Sequence, residues 1–100
     1  MTEKIKNGEK LTLVPEGRLD TTTAPQFQQI LIPAFDEAKQ VELDFAKLVY
    51  ISSAGLRVLL MGQKTAAAKG AAMTIRGVPD EIMEVFEMTG FTDILDIARG

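Results

Sequence analysis

The sequence predicts an α/β fold, with one mixed sheet of four to five strands and helices packed on one face. Three observations point there. Apolar and polar residues alternate in short stretches, as in Lys10-Leu11-Thr12-Leu13, which is the period of a half-buried strand. Between these stretches apolar residues recur every three to four positions, the period of a helix buried on one side. The patterns then follow one another as strand, strand, helix, strand, helix, strand, helix over 100 residues. That order suits a single domain, residues 1–100, with right-handed crossovers wherever strands run parallel.

Asn7-Gly8 separates Lys4-Ile5-Lys6 from Lys10 to Val14, and Asn-Gly accepts the positive φ of a tight hairpin, so the flanks pair as antiparallel strands. Pro15, Glu16 and Gly17 make the second strand irregular, or place it at an edge. Thr23 to Gln26 reads as a capping box with Pro25 in the first turn. Phe27, Ile30, Leu31, Ala34, Phe35 and Ala38 then keep helical spacing. Pro33 falls inside that run and removes a hydrogen bond, so residues 24–39 are expected as a kinked or two-part helix. Val41, Leu43 and Phe45 mark a strand. Leu56, Leu59, Leu60, Ala66 and Ala67 mark a helix starting near Ser52-Ser53 and stopping at Gly70, a natural left-handed terminator. Met73 and Ile75 give a further strand. Pro79-Asp80-Glu81 opens a last helix with acids at its positive end; Ile82, Val85 and Phe86 face inward and Gly90 ends it. Phe91 is expected to close back on Phe86, with a short apolar segment at Ile94, Leu95 and Ile97.

Composition excludes several function classes. With no cysteine there are no disulfides, thiolate nucleophiles or sulfur-ligated zinc sites. With no histidine a Ser-His-Asp triad is impossible. The net charge of −3 carries no long basic run, which argues against nucleic acid as a partner. No stretch resembles a secretory signal or approaches a membrane span. The expectation is a cytoplasmic protein with no direct membrane insertion. Glu42 and Asp44 point the same way from one strand, as weak ligands for a hard cation or as solvated side chains. Asp80, Glu81, Glu84 and Glu87 suit a solvated helix face better than a paired acid–base site. No phosphate-binding glycine loop occurs. Neither a cofactor nor a metal is expected.

The informative segment is Tyr50-Ile51-Ser52-Ser53-Ala54-Gly55-Leu56-Arg57, where a strand ends, two serines turn and a helix starts. One reading is structural: a serine hydroxyl caps a free helix amide. The other is functional: an exposed hydroxyl accepts a phosphate, which a helix N-terminus tolerates. Asp20, with Thr21 and Thr22, has two readings as well. It forms an Asx-type turn into the next helix, or it sits beside the serines at the same sheet end.

Ser52-Ser53-Ala54-Gly55-Leu56 resembles the signature of the STAS family, shared by sulfate transporters and bacterial anti-sigma factor antagonists. Gly17 to Asp20 with Thr23-Ala24-Pro25, Val41 to Phe45, Gly77-Val78-Pro79 and Met88-Thr89-Gly90-Phe91 fall in that family's order. The resemblance thus covers nearly the whole chain and implies a single STAS-like domain. In the antagonist branch, it implies a serine phosphorylated by a partner that is both serine kinase and anti-sigma factor. Phosphorylation ends binding, and a serine phosphatase of the PP2C type restores it. By motif the acceptor is Ser53. Where the better-known antagonists usually have aspartate before the acceptor, this chain has Ser52, which is the alternative acceptor.

From Ser53 a helical stripe runs through Arg57, Leu60 or Met61, Lys64 and Ala68, either a solvated face or a docking surface. With the resemblance, partner binding is assigned to Asp20, Thr21, Ser52, Ser53, Ala54, Arg57, Met61 and Lys64. The chain is then a kinase substrate with no catalytic residues of its own. One alternative is a STAS subunit of a lipid or anion transport complex, without phosphorylation. Another, a hydrolase using Ser53 and Lys64, lacks an oxyanion-hole motif.

Overall fold

A computed structural model describes residues 2–98. The hairpin forms where the turn chemistry places it. Strands β1 (Thr2–Asn7) and β2 (Lys10–Pro15) pair antiparallel from Thr2 opposite Pro15 to Asn7 opposite Lys10. The loop is Gly8-Glu9, and within it Gly8 takes the positive φ, +67°, a value that would strain any other residue. After Pro15 the chain steps aside and resumes as β3 (Gly17–Leu19). The proline marks that break and not an edge, because β2 lies inside the sheet and Pro15 is buried.

Helix α1 (Ala24–Glu37) contains Pro33 within one run of 14 residues, so the two-part alternative does not form. Strand β4 (Gln40–Asp44) is followed by β5 (Leu48–Ile51). A turn at Phe45–Lys47 divides them, held by the Ala46 amide donating to Asp44 Oδ1 at 3.0 Å. Helix α2 (Ser53–Lys69) ends at Gly70, whose φ is +66°. Strand β6 (Ala72–Arg76), helix α3 (Asp80–Thr89), a 3-10 turn (Phe91–Asp93) and strand β7 (Asp96–Ile97) complete the described chain. The short apolar segment after Gly90 is therefore that turn and β7. Phe91 packs against the core only partly buried.

The five-stranded sheet runs β1-β2-β4-β6-β7, and β3 pairs with β5 in a separate two-stranded ribbon. Every neighbouring pair but β1–β2 is parallel. Burial follows the alternation. Leu11, Leu13, Val41, Leu43, Met73 and Ile75 are buried, while Lys10, Thr12, Glu42 and Thr74 between them are half-buried. Helices α1 and α2 pack on each other and on the apolar side of the sheet. They cross closely at Gly62, where a β-carbon would stand 2.7 Å from Leu31 Cδ2 and 3.0 Å from Met73 Sδ. Helix α3 packs against β5 and sets Phe86 beside Phe45, ring centroids 6.5 Å apart.

The opposite side of the sheet is polar. Glu42 receives Lys10 at 3.0 Å and Arg76 at 2.7 Å, and Arg76 also reaches Asp44 at 3.4 Å. These ion pairs correct the reading of Glu42 and Asp44 as cation ligands or freely solvated groups: the protein's own cations occupy the place. Burial alone would raise the Glu42 pKa. Hydrogen bonds and attraction from Arg76 and Lys10 outweigh it and hold the carboxyl below its ordinary value. Among the described residues no cluster of three or more acids is placed to hold a metal, and Asp80, Glu81, Glu84 and Glu87 lie exposed along α3.

Candidate functional site

The ribbon of β3 and β5 brings two loops to one end of the molecule. Leu19 stands opposite Ile51, so the chain leaves β3 into the Asp20 loop where β5 runs into the serine turn. The Ser52 amide donates to the Leu19 carbonyl at 2.9 Å and ties the loops together. Gly55 tightens the join. A β-carbon there would lie 2.8 Å from that carbonyl oxygen and 2.7 Å from Ile51 Cγ1, so the first turn of α2 approaches β3 because position 55 has no side chain.

The two serines divide the work. Ser52 is extended, at φ −100° and ψ 177°, and its Oγ accepts from the Gly55 amide at 3.4 Å. Its carbonyl accepts from the Leu56 amide at 2.9 Å. This is the N-cap role, which satisfies an otherwise unpaired helix donor. Ser53 is the first helical residue and is exposed. Its side chain makes no hydrogen bond among the described residues.

Across the join, Asp20 forms the Asx-type turn. Its Oδ1 accepts from the amides of Thr22 at 3.0 Å and Thr23 at 3.1 Å, and its Oδ2 from Arg18 Nε at 3.4 Å. The Thr23 amide above all, helped by the Thr22 amide, the Thr23 hydroxyl and Arg18, outweighs desolvation and holds the Asp20 carboxyl below its ordinary pKa. The expected capping box of Thr23 and Gln26 is absent. The Thr23 hydroxyl instead accepts from the Asp20 amide at 2.9 Å and donates to the Arg18 carbonyl at 2.7 Å, and it makes no cap hydrogen bond to its own helix.

Between the start of α1 and α2 lies a groove of about 280 Å³. Thr21, Pro25 and Gln28 form one wall, and Ala54, Arg57 and Met61 the other. Arg57, Met61, Lys64 and Ala68 are all exposed on one face of α2, with Ser53 at its head. The residues assigned to partner binding therefore converge in part. Thr21, Ala54, Arg57 and Met61 share the groove, whereas Ser52 and Ser53, which precede Ala54 in the chain, and Lys64 do not line it. Asp20 is committed to its own loop.

Sequence spacing missed Pro25 and Gln28, because periodicity within α2 does not reveal which helix lies beside it. It also missed Arg18, whose guanidinium stacks 4.2 Å from the Tyr50 ring centroid at the edge of the site; the matching positions of two parallel strands were the available signal. Lys64 stands about 16 Å along the helix from Ser53 at the usual rise per residue, too far to serve it as a base.

Comparison with known proteins agrees with this architecture. The family model described as "Mlab, STAS domain" matches residues 4–96. The anti-sigma-B factor antagonist of Listeria monocytogenes is 25% identical over 95 residues, covering 94% of this chain and 83% of that protein. An anti-sigma factor antagonist from Mycobacterium paratuberculosis superposes with a TM-score of 0.88 at 15% identity, covering 100% of this chain and 86% of the other. The Bacillus cell fate determinant SpoIIAA in its phosphorylated form does so with a TM-score of 0.76 at 16% identity, covering 99% and 92%. A two-layer domain built around a serine turn, matched along nearly its full length, belongs to the STAS domain family, in the branch of the anti-sigma factor antagonists.

Proposed function

We propose that this protein is an anti-sigma factor antagonist that docks on a serine-kinase anti-sigma factor in the cytoplasm. In this reading Ser53 is the phosphate acceptor, and a PP2C-type phosphatase reverses the modification. The observation that carries the reading is the division between the serines: Ser52 is held in the cap while Ser53 is exposed and unengaged beside a groove. A kinase needs a hydroxyl it can reach without unfolding a helix end, and Ser53 meets that need. A phosphoserine there adds about −1.5 to −2 charges to a surface that would otherwise be covered, and desolvating that charge in an interface opposes binding. Regulation by phosphate also suits a chain with no histidine or cysteine, since the chemistry is performed by the partner.

Intact-mass measurement after incubation with ATP and the candidate kinase tests this. One phosphate is expected, mapped to Ser53, lost in Ser53→Ala and kept in Ser52→Ala. No phosphate with the bound partner, or a phosphate elsewhere, overturns it. The STAS domain of a SulP transporter from Vibrio cholerae shares the fold, with a TM-score of 0.68, and motivates a second reading, a non-phosphorylated subunit of a lipid or anion transport complex. Stable binding to a transporter component, unaffected by Ser53→Asp, would support that role.

A further inference from the structure

Helix α2 carries Arg57, Lys64 and Lys69 and no acidic residue, although the chain as a whole has a net charge of −3. Lys69 is paired with Asp36 at 2.6 Å. Arg57 and Lys64 have no carboxylate partner among the described residues, and Arg57 stands one turn beyond Ser53 on the same exposed face. Residues four apart on a helix are neighbours, and an acid N-terminal to its base is the favourable order.

We infer that phosphoserine at position 53 is clasped by Arg57 within α2, which withdraws this exposed cation from the docking groove. The inference rests on Ser53 as the acceptor. Transfer of the terminal phosphoryl group of ATP forms the Oγ–P bond, breaks the anhydride bond, and releases ADP and the hydroxyl proton. The product has three acceptor oxygens, which a planar guanidinium meets with two parallel donors. The other charged groups near the start of α2 do not compete. Arg18 is already engaged by Asp20 and Tyr50, and Asp20 repels a phosphate. Helix α1 brings no acid in its first turn and has its charged residues at the far end.

Modification then acts twice on the same surface. It adds negative charge at Ser53, and it removes from the groove wall the guanidinium that an acidic partner group would meet. Arg57 is a positioning residue for the switch and takes no part in the transfer itself.

The test uses the full chain with phosphoserine installed at position 53 during translation, so it needs neither kinase nor partner. The second ionisation of the phosphate is followed by phosphorus NMR in the otherwise native chain and in Arg57→Gln, Arg57→Lys and Arg18→Gln. The native chain is expected to ionise about 0.15 to 0.4 pH unit lower than Arg57→Gln. Arg57→Lys should fall between them and Arg18→Gln should match the native chain. High salt should shrink the difference, as for any exposed pair. Equal ionisation in the native chain and Arg57→Gln, or a shift that follows Arg18→Gln, overturns the inference. Failure of the kinase reading would instead appear in the mass experiment, and this titration would still be readable.

Discussion

Two adjacent serines with the same chemistry are separated by one step of backbone. Ser52 is extended and spends its hydroxyl on the Gly55 amide, whereas Ser53 is helical and its side chain is exposed. Truncating them should therefore have unequal effects. Ser52→Ala is expected to lower stability by about 0.5 to 1 kcal/mol, the lower part of the range for a lost cap because the bond is long. Ser53→Ala should stay within about 0.5 kcal/mol of the parent, and urea denaturation of both variants compares them directly. Asp20 supports a pH prediction. Its folded pKa lies below its unfolded value, so its contribution is present above the unfolded pKa and fades as pH falls through the folded one. Asp20→Asn keeps the side-chain shape and removes the charge. It should lower the thermal midpoint at pH 7, with the deficit closing as pH drops below about 4; a deficit constant with pH would contradict the assignment.

At the scale of elements, glycines set how closely α2 approaches its neighbours, and the identity of the obstructing atom decides the outcome. At Gly62 the obstacles are the ends of the Leu31 and Met73 side chains, which can move; at Gly55 one of them is the Leu19 backbone oxygen at 2.8 Å. Replacing either glycine by alanine gains helix propensity. Gly62→Ala is therefore expected near neutrality and Gly55→Ala to be destabilising by about 1 to 3 kcal/mol, measured by the same denaturation series. Local signals located most elements well. Gly8 set the hairpin, Gly70 ended α2, and the alternation of Leu11, Leu13, Val41 and Leu43 marked the buried strands. Tertiary partners overrode the rest. Thr23 has the composition of a capping box, but its hydroxyl is claimed by Asp20 and Arg18 from the preceding loop. Pro33 suggested a kinked or two-part helix, and α1 runs through it without a break. The separate β3–β5 ribbon and the two-residue strand β7 are too short to carry a period of their own. The serine turn was legible as a motif, whereas the groove beside it was not, because its second wall comes from Pro25 and Gln28 on another helix.

For the whole molecule, the important property is where charge is kept. Helix α2 carries no acid of its own, and of its cations Lys69 alone is paired among the described residues, with Asp36 at 2.6 Å. Glu42 and Asp44 are engaged by Lys10 and Arg76 on the open sheet side, and Asp80 and Glu81 open α3. Helix α2 is left cationic beside a partly apolar groove, with one accessible hydroxyl at its head. The proposed phosphorylation of Ser53 would take the net charge of −3 to about −5, with the change concentrated at the head of the cationic helix. The most direct test of the proposed docking control is calorimetric titration of the purified candidate anti-sigma factor with the native chain, Ser53→Ala and Ser53→Asp. Native and Ser53→Ala proteins are expected to bind alike and Ser53→Asp at least tenfold more weakly, a loss of about 1.4 kcal/mol or more. Undiminished affinity for Ser53→Asp would contradict the account.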